Sequence, residues 1–189
     1  LAMRKQMNIS NPNFGPLLDT MLLNSGSKIS NALIQPKVEP EIALKFNDTL
    51  NGSSSNDQIF SAISDAYACL EVVDSIYLDY KFKIQDNTAD GSSAAQFVLG
   101  PRINKKSLDT IEVIFYKNHN LIDKCYGSAA SGHPLNGITW LLKALEKVGR
   151  TLLPNDIVIT GGLTSAIDVR DNDHIYADFE NNKRVELYG

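Results

Sequence analysis

The sequence predicts an α+β domain rich in strands. Three observations carry this: short β-branched runs outnumber helical stretches, hairpin turns are frequent, and no internal repeat or linker divides the 189 residues. That length suits one sizeable domain over residues 1–189.

Each element has its own signal. "LAMRKQMN" reads as a short helical piece stopped by the turn-rich "ISNPNFGP", and "PLLDTMLLNSG" as a short ordered segment. "EIALKF" is a strand heading into a core. After the polar loop "NDTLNGSSSND", Ser55 or Asn56 caps a helix over "DQIFSAISDAYACL", where Ile59, Phe60, Ile63, Ala66, Tyr67 and Leu70 recur at helical spacing. "LEVVDSIYL" and "QFVLGP" read as strands, separated by the small, polar, irregular loop "QDNTADGSSAA". "TIEVIFYKNHNLIDKCYG" is a hairpin turning at Asn118, His119 and Asn120. "HPLNGITWLLKALEKVG" is the clearest helix, with Pro134 in its first turn and Gly149 ending it. "DIVITGG", "IYADFE" and "RVELYG" supply three closing strands.

Composition narrows the function. A formal net charge of −4 with no lysine or arginine block gives no footprint for nucleic acid. The apolar runs are too short to span a bilayer, and no stretch reads as a signal peptide. Cys69 and Cys125 are isolated, with neither metal-ligand nor disulfide spacing, and are expected as reduced thiols of a cytoplasmic protein.

"QPKVEPEIALKF" is the stretch that asks for chemistry. Residues two apart on a strand share a face, so Glu39 and Glu41 project together while Pro40 faces away. Two half-buried carboxylates at that spacing either share a proton or hold a cation. Their hard oxygens suit Mg²⁺ or Mn²⁺. Glu71 enters the "CLEVVDS" strand at a similar position and is the third candidate. On pattern alone, a Glu-x-Glu strand start is more often simply solvated.

Four blocks in order, "LIQPKVEPEIALKF", "CLEVVDSIYLDYKFKIQDNTADGSSAAQFVLG", "GHPLNGITWLLKALEKVG" and "DIVITGGLTSA", resemble the 2-oxopent-4-enoate hydratase/4-oxalocrotonate decarboxylase family. This family lies within the fumarylacetoacetate hydrolase superfamily. The resemblance runs from "AMRKQMNISNPNFG" to the final strands. It implies a rolled, strand-rich mixed sheet or sandwich with a few flanking helices, like the C-terminal domain of that superfamily. It also implies a single catalytic domain whose sequence begins after the family's N-terminal lysine block.

By the same resemblance Glu39, Glu41 and Glu71 ligate Mg²⁺ or Mn²⁺, and Ser93 sits near the substrate. Asp86 and Asp90 orient a water or the loop, with local loop capping as their alternative; Lys81 falls in a family-like block but also reads as a solvated lysine. The backbone of "TGGLTSA", with Gly162 and Thr164, faces the bound carboxylate or forms a tight turn. His133 is expected to cap its helix, and His119 and His174 to lie on the surface.

The implied activity is metal-dependent hydration of 2-hydroxypenta-2,4-dienoate-type acids to 4-hydroxy-2-oxo acids, in the catabolism of aromatic compounds. "QDNTADGSSAAQFVLG" and "NPNFG" lie nearer the hydratases. "YLDYKF", "GHPL" and "TGGLT" lie nearer the decarboxylases, so 4-oxalocrotonate decarboxylation is the alternative. A non-catalytic partner subunit, in a hydratase–decarboxylase complex, is the other. A homo-oligomer is expected. Two departures from the family pattern stand out: Gly91 replaces an asparagine, and Asn13 replaces the aspartate common in hydratases.

Overall fold

The computed structural model describes residues 12–180 and 182–189; the helix expected over "LAMRKQMN" lies outside them. Among the described residues, after a 3₁₀ turn at Asp19–Met21, ten strands run in chain order. These are β1 (Leu22–Leu23), β2 (Lys37–Phe46), β3 (Ile63–Val73), β4 (Ala94–Ile103), β5 (Glu112–Lys117), β6 (Asn120–Tyr126), β7 (Ile157–Ile159), β8 (Ile167–Asp168), β9 (His174–Phe179) and β10 (Lys183–Tyr188). The α-helices are α1 (Asn56–Ala62), α2 (Ile84–Ala89) and α3 (Pro134–Lys147).

Two sheets form. One has the order β1-β4-β3-β2-β7, with β8 also on β2; the other has the order β10-β9-β5-β6. All pairings are antiparallel except β1 with β4. Between them lies the main core: Val38, Ile42, Leu44, Ala68, Leu70 and Val98 from the first sheet meet Val113, Phe115, Ile175, Phe179, Val185 and Leu187 from the second. A Cβ at Gly100 would stand 2.6 Å from the Val185 Cβ, so glycine lets β4 approach β10.

Most local signals hold. Ser55 caps α1, accepting from the Gln58 amide at 3.3 Å. The β5–β6 hairpin turns on Asn118 and His119 at φ 51° and 64°, the type I′ geometry that asparagine tolerates. Pro134 opens α3 and Gly149, at φ 69°, follows its end.

Two readings need correction. The helix expected through Leu70 stops at Ala62, and Ile63–Val73 is strand. Because β3 lies between β2 and β4 and both its faces are covered, Ala68, Cys69, Leu70 and Val72 are all buried. A strand apolar on both faces loses its two-residue period and shows helix-like spacing by accident. The loop 85–95, expected irregular, contains most of α2 and a 3₁₀ turn at Gly91–Ser93, while 74–77 is no continuation of β3. The α+β, strand-rich architecture is as the sequence predicts.

Candidate active site

On β2 the even positions Val38, Ile42 and Leu44 enter the main core, which sends Glu39, Glu41 and Ala43 to the other face. Glu39 stands opposite Glu71 on β3, which in turn stands opposite Phe97 on β4. Glu41 stands opposite Cys69. Directly opposed residues on antiparallel strands share a face, so register alone assembles three glutamates. One carboxylate oxygen from each lies within 4.8 Å of the others. Glu39 and Glu41 are 2% and 1% exposed; Glu71 is half-buried.

Among the described residues no lysine, arginine or histidine forms an ion pair with the cluster. Lys37, next on the same face, gives its ammonium to Asp168 and lies 5.5 Å from the centre of the Tyr80 ring. Burial raises Glu39 and Glu41 well above the usual carboxylate range, and the Glu71 charge raises both further. Burial likewise lifts Glu71 to about 7. Glu39 Oε2 is buried without a hydrogen-bond partner among the described residues. Glu41 Oε2 accepts the Gly161 amide at 2.7 Å. Three converging carboxylates, one of which also carries a partnerless oxygen, suit a small hard cation far better than an empty apolar face. The donor set therefore fits a divalent metal.

The edge of β2 explains the Gly161 contact. Past β7, the Thr160 amide donates to the Ile42 carbonyl and the Leu163 amide to Pro40, each at 3.0 Å. Gly161, at φ 94°, swings its amide out of this ladder and onto Glu41. Gly162 and Thr164 are buried behind it, the Thr164 hydroxyl donating to the Ser165 carbonyl at 3.0 Å. Thr160 Oγ1 is buried without a partner among the described residues.

Ser93 begins the approach to β4 and is 1% exposed; its carbonyl accepts the Asp74 amide at 2.8 Å. Asp90 Oδ2 is a second buried carboxylate oxygen without a partner among the described residues. Asp86 instead caps α2, accepting the Lys83 amide at 3.0 Å. Lys81 projects to solvent and pairs with Asp79 at 3.1 Å. The structure thus brings Glu39, Glu41 and Glu71 together, while Lys81 is exposed and the half-buried Asp86 holds the first turn of α2.

His133 caps α3, its Nδ1 accepting the Leu135 amide at 3.0 Å. His119 is exposed at the hairpin tip as expected, but His174 is half-buried, stacked on Tyr188 at 4.5 Å and bound to Glu186 at 2.8 Å. Its position at the start of β9, directly opposite Tyr188, produces that stack. Cys69 and Cys125 are free thiols, and burial raises both, Cys125 to about 12. Sequence reasoning placed the backbone of 160–166 near a bound carboxylate but did not foresee that the Gly161 amide is given to Glu41, a contact across 120 residues that no local pattern marks.

No family model matches the chain. The 2-hydroxypent-2,4-dienoate hydratase of Pseudomonas putida is 38% identical over 154 residues, 78% of this chain and 69% of that protein. The 4-oxalocrotonate decarboxylase of Pseudomonas sp. (strain CF600) is 29% identical over 184 residues, 95% of this chain and 70% of that protein. The structure of 4-oxalocrotonate decarboxylase from Pseudomonas putida G7, complexed with magnesium and adipate, superposes with a TM-score of 0.90 at 27% identity. It covers 98% of this chain and 72% of that one. The fold is also that of a putative fumarylacetoacetate hydrolase family protein from Yersinia pestis CO92, with a TM-score of 0.71 at 15% identity. The chain spans about two thirds of the length of these curated relatives, 66% in the case of the 2-keto-4-pentenoate hydratase of Burkholderia vietnamiensis. With hydratase identity of 38% across most of the chain, the protein belongs to the 2-keto-4-pentenoate hydratase and 4-oxalocrotonate decarboxylase family of lyases.

Proposed function

We propose that residues 1–189 form a single catalytic domain of a divalent-metal-dependent hydratase that converts 2-hydroxypenta-2,4-dienoate-type acids to 4-hydroxy-2-oxo acids. The observation that carries this reading is the cluster of Glu39, Glu41 and Glu71 on one face of a sheet. The greater identity to the dienoate hydratase than to the decarboxylase supports the choice of reaction.

Glu39, Glu41 and Glu71 would hold Mg²⁺ or Mn²⁺; magnesium in the neighbouring decarboxylase structure supports the first. Such a cation supplies Lewis acidity and charge neutralisation for a chelated carboxylate and 2-oxo oxygen. The rest falls to the chain. Gly161 fixes the rotamer of Glu41 through its amide. Ser93 hydrogen-bonds a substrate oxygen, and the backbone around Gly162 and Thr164 closes the carboxylate end of the pocket. Asp90, with its partnerless buried oxygen, orients the water or carries the proton that ketonisation of the dienol delivers to the far end of the diene. Water then adds across the remaining alkene.

Aromatic catabolism in the cytoplasm, a homo-oligomer and association with a decarboxylase partner complete the reading. Among the described residues no helix is long and apolar enough to cross a membrane.

The test is to follow the ultraviolet absorbance of 2-hydroxypenta-2,4-dienoate, and separately of 4-oxalocrotonate, with Mg²⁺ or Mn²⁺ and with EDTA. Metal-dependent loss of the dienoate to a hydroxy-oxo acid is the expected result. Carbon dioxide release from oxalocrotonate alone moves the activity to decarboxylation, which the 0.90 TM-score to that enzyme also accommodates. Inactivity on both, with metal bound, supports the partner-subunit reading instead.

A further inference from the structure

Lys37 opens β2 and shares a face with Glu39 and Glu41, since residues two apart on a strand project together. Two residues of strand span roughly 7 Å, a step comparable with the reach of an extended six-carbon acid. Lys45, the other lysine of β2, stands four positions beyond Glu41. Register places Val73 of β3 on one side of Lys37 and Asp168 of β8 on the other. Val73, Tyr80 and Ala166 pack together at this end of the face, with Phe82 against them. The turn bearing Asp90 and Ser93 joins the same end, where the Ser93 carbonyl accepts the amide of Asp74, the residue after Val73, at 2.8 Å. Beyond Glu41 lies a different end, the apolar cluster of Ala43, Cys69 and Phe97.

The ammonium is held in place without being used up. The Lys37 side chain is 21% exposed, and its Nζ lies 5.5 Å from the centre of the Tyr80 ring. A cation over an aromatic face is positioned but keeps its N–H donors. Tyr80 is itself anchored, its hydroxyl within 3.0 Å of the Val73 carbonyl and 3.1 Å of the Gln35 carbonyl. Of the three ammonium donors, one goes to Asp168 Oδ1. The Asp168 side chain is 66% exposed, so water can take over its carboxylate, and a pair of this kind contributes little to stability. Lys117 differs, being committed to Asp173 at 2.7 Å and to the Asp168 carbonyl at 2.8 Å. Lys37 thus stands two strand positions from three glutamates, pairs with none of them, and keeps its charge for an anion.

We infer that Lys37 is a specificity-determining residue that receives the far carboxylate of a dicarboxylic 2-oxo acid whose C1 end is held at the glutamate cluster. Asp168 holds the ammonium when no such ligand is bound. The inference rests on the 2-oxo acid chemistry proposed above and adds to it the charge of the far end, to which hydration of the alkene is itself indifferent. A far carboxylate meets Lys37 on the inner side of the pair, where a charge-assisted hydrogen bond is stronger than at the solvated rim. A methyl group in the same place leaves the pair with Asp168 intact and gains nothing from the ammonium.

The test is calorimetry on the Mg²⁺-loaded protein with 2-oxoadipate and with 2-oxohexanoate, which has the same chain length and a methyl group in place of the far carboxylate. Neither acid has an alkene to react. The wild type is compared with Lys37→Met, which keeps the length of the side chain, and with Asp168→Asn; Mg²⁺ affinity and unfolding temperature are recorded for each. The wild type is expected to bind 2-oxoadipate about tenfold more tightly than 2-oxohexanoate. Lys37→Met is expected to bind the two alike, by losing affinity for 2-oxoadipate alone. Asp168→Asn, freed of the competing carboxylate, is expected to bind 2-oxoadipate at least as tightly as the wild type. Equal wild-type affinities overturn the inference and leave the 2-oxo acid reading in place. So does a loss in Lys37→Met shared equally by both acids, which puts the ammonium at the C1 end or in a purely structural role. Weaker binding of 2-oxoadipate by Asp168→Asn overturns it as well, since Asp168 is then part of the receptor and not its resting partner. No binding of either acid by the Mg²⁺-loaded wild type overturns the proposed substrate class and this inference with it.

Discussion

Raising the pH of the metal-free protein is expected to destabilise it, and Glu71 sets the size of the effect. Burial lifts its carboxyl from the usual 4.5 to about 7. Between those values the folded chain keeps a proton that the unfolded chain has released, so rising pH favours unfolding. At about 1.36 kcal/mol per pH unit, Glu71 alone removes about 2–3 kcal/mol between pH 5 and 8. Glu39 and Glu41, also raised, act in the same direction. Asp168, held low by its hydrogen bond to Lys37, titrates below this window. For a chain of this size the loss corresponds to roughly 5–10 °C in melting temperature. The assay is urea and thermal unfolding at pH 5, 6, 7 and 8 in EDTA, repeated with saturating Mg²⁺ and on Glu71→Gln. In EDTA the wild type loses stability with pH while Glu71→Gln shows a shallower slope; Mg²⁺ flattens or reverses the wild-type trend, because the cation binds the deprotonated cluster. A wild-type slope equal to that of Glu71→Gln, or a rise in stability with pH in EDTA, would refute the argument that burial rather than solvent governs these carboxyls.

Three further outcomes are expected. Glu41→Gln abolishes metal-dependent turnover while circular dichroism and the melting transition remain folded; retained Mg²⁺-dependent turnover in that variant removes the glutamate cluster from the site. His133→Ala removes a helix cap and costs about 1 kcal/mol of stability in urea unfolding. Its kcat stays unchanged, since the ring is occupied with the Leu135 amide. Gly15→Ala drives a Cβ into the Gly91 carbonyl. Denaturant unfolding should show a loss of about 1–3 kcal/mol, accompanied by a raised KM as the turn bearing Ser93 shifts.

Local chemistry was legible in the sequence wherever one residue type decides the geometry. Ser55, Pro134, Gly149 and the Asn118–His119 turn each needed only their neighbours. The pairing of Glu39 with Glu41 followed from strand parity, but the addition of Glu71 required the register of β2 on β3, which resemblance supplied and spacing could not. The helix drawn through Leu70 failed because β3 is covered on both faces, which hides its period. Asn13 and Asn87 are 74 residues apart, and no local pattern announces a bond between two ordinary asparagines.

The cross-strand placement of the glutamates has a consequence for how such a scaffold diversifies. Glu39 and Glu71 are anchored by the ladder of two interior strands, so their spacing is inherited from the sheet and is insulated from change elsewhere. Apart from Lys37, the groups that would line a substrate sit on connections, at 84–93 and 160–166, outside the ladder of β2 on β3. On the proposed reading, chelation and most of the substrate contact would thereby fall to separate parts of the chain. A lineage can revise what is accepted, or which bond is broken, by editing two short connections while the ion-holding frame stays as it was.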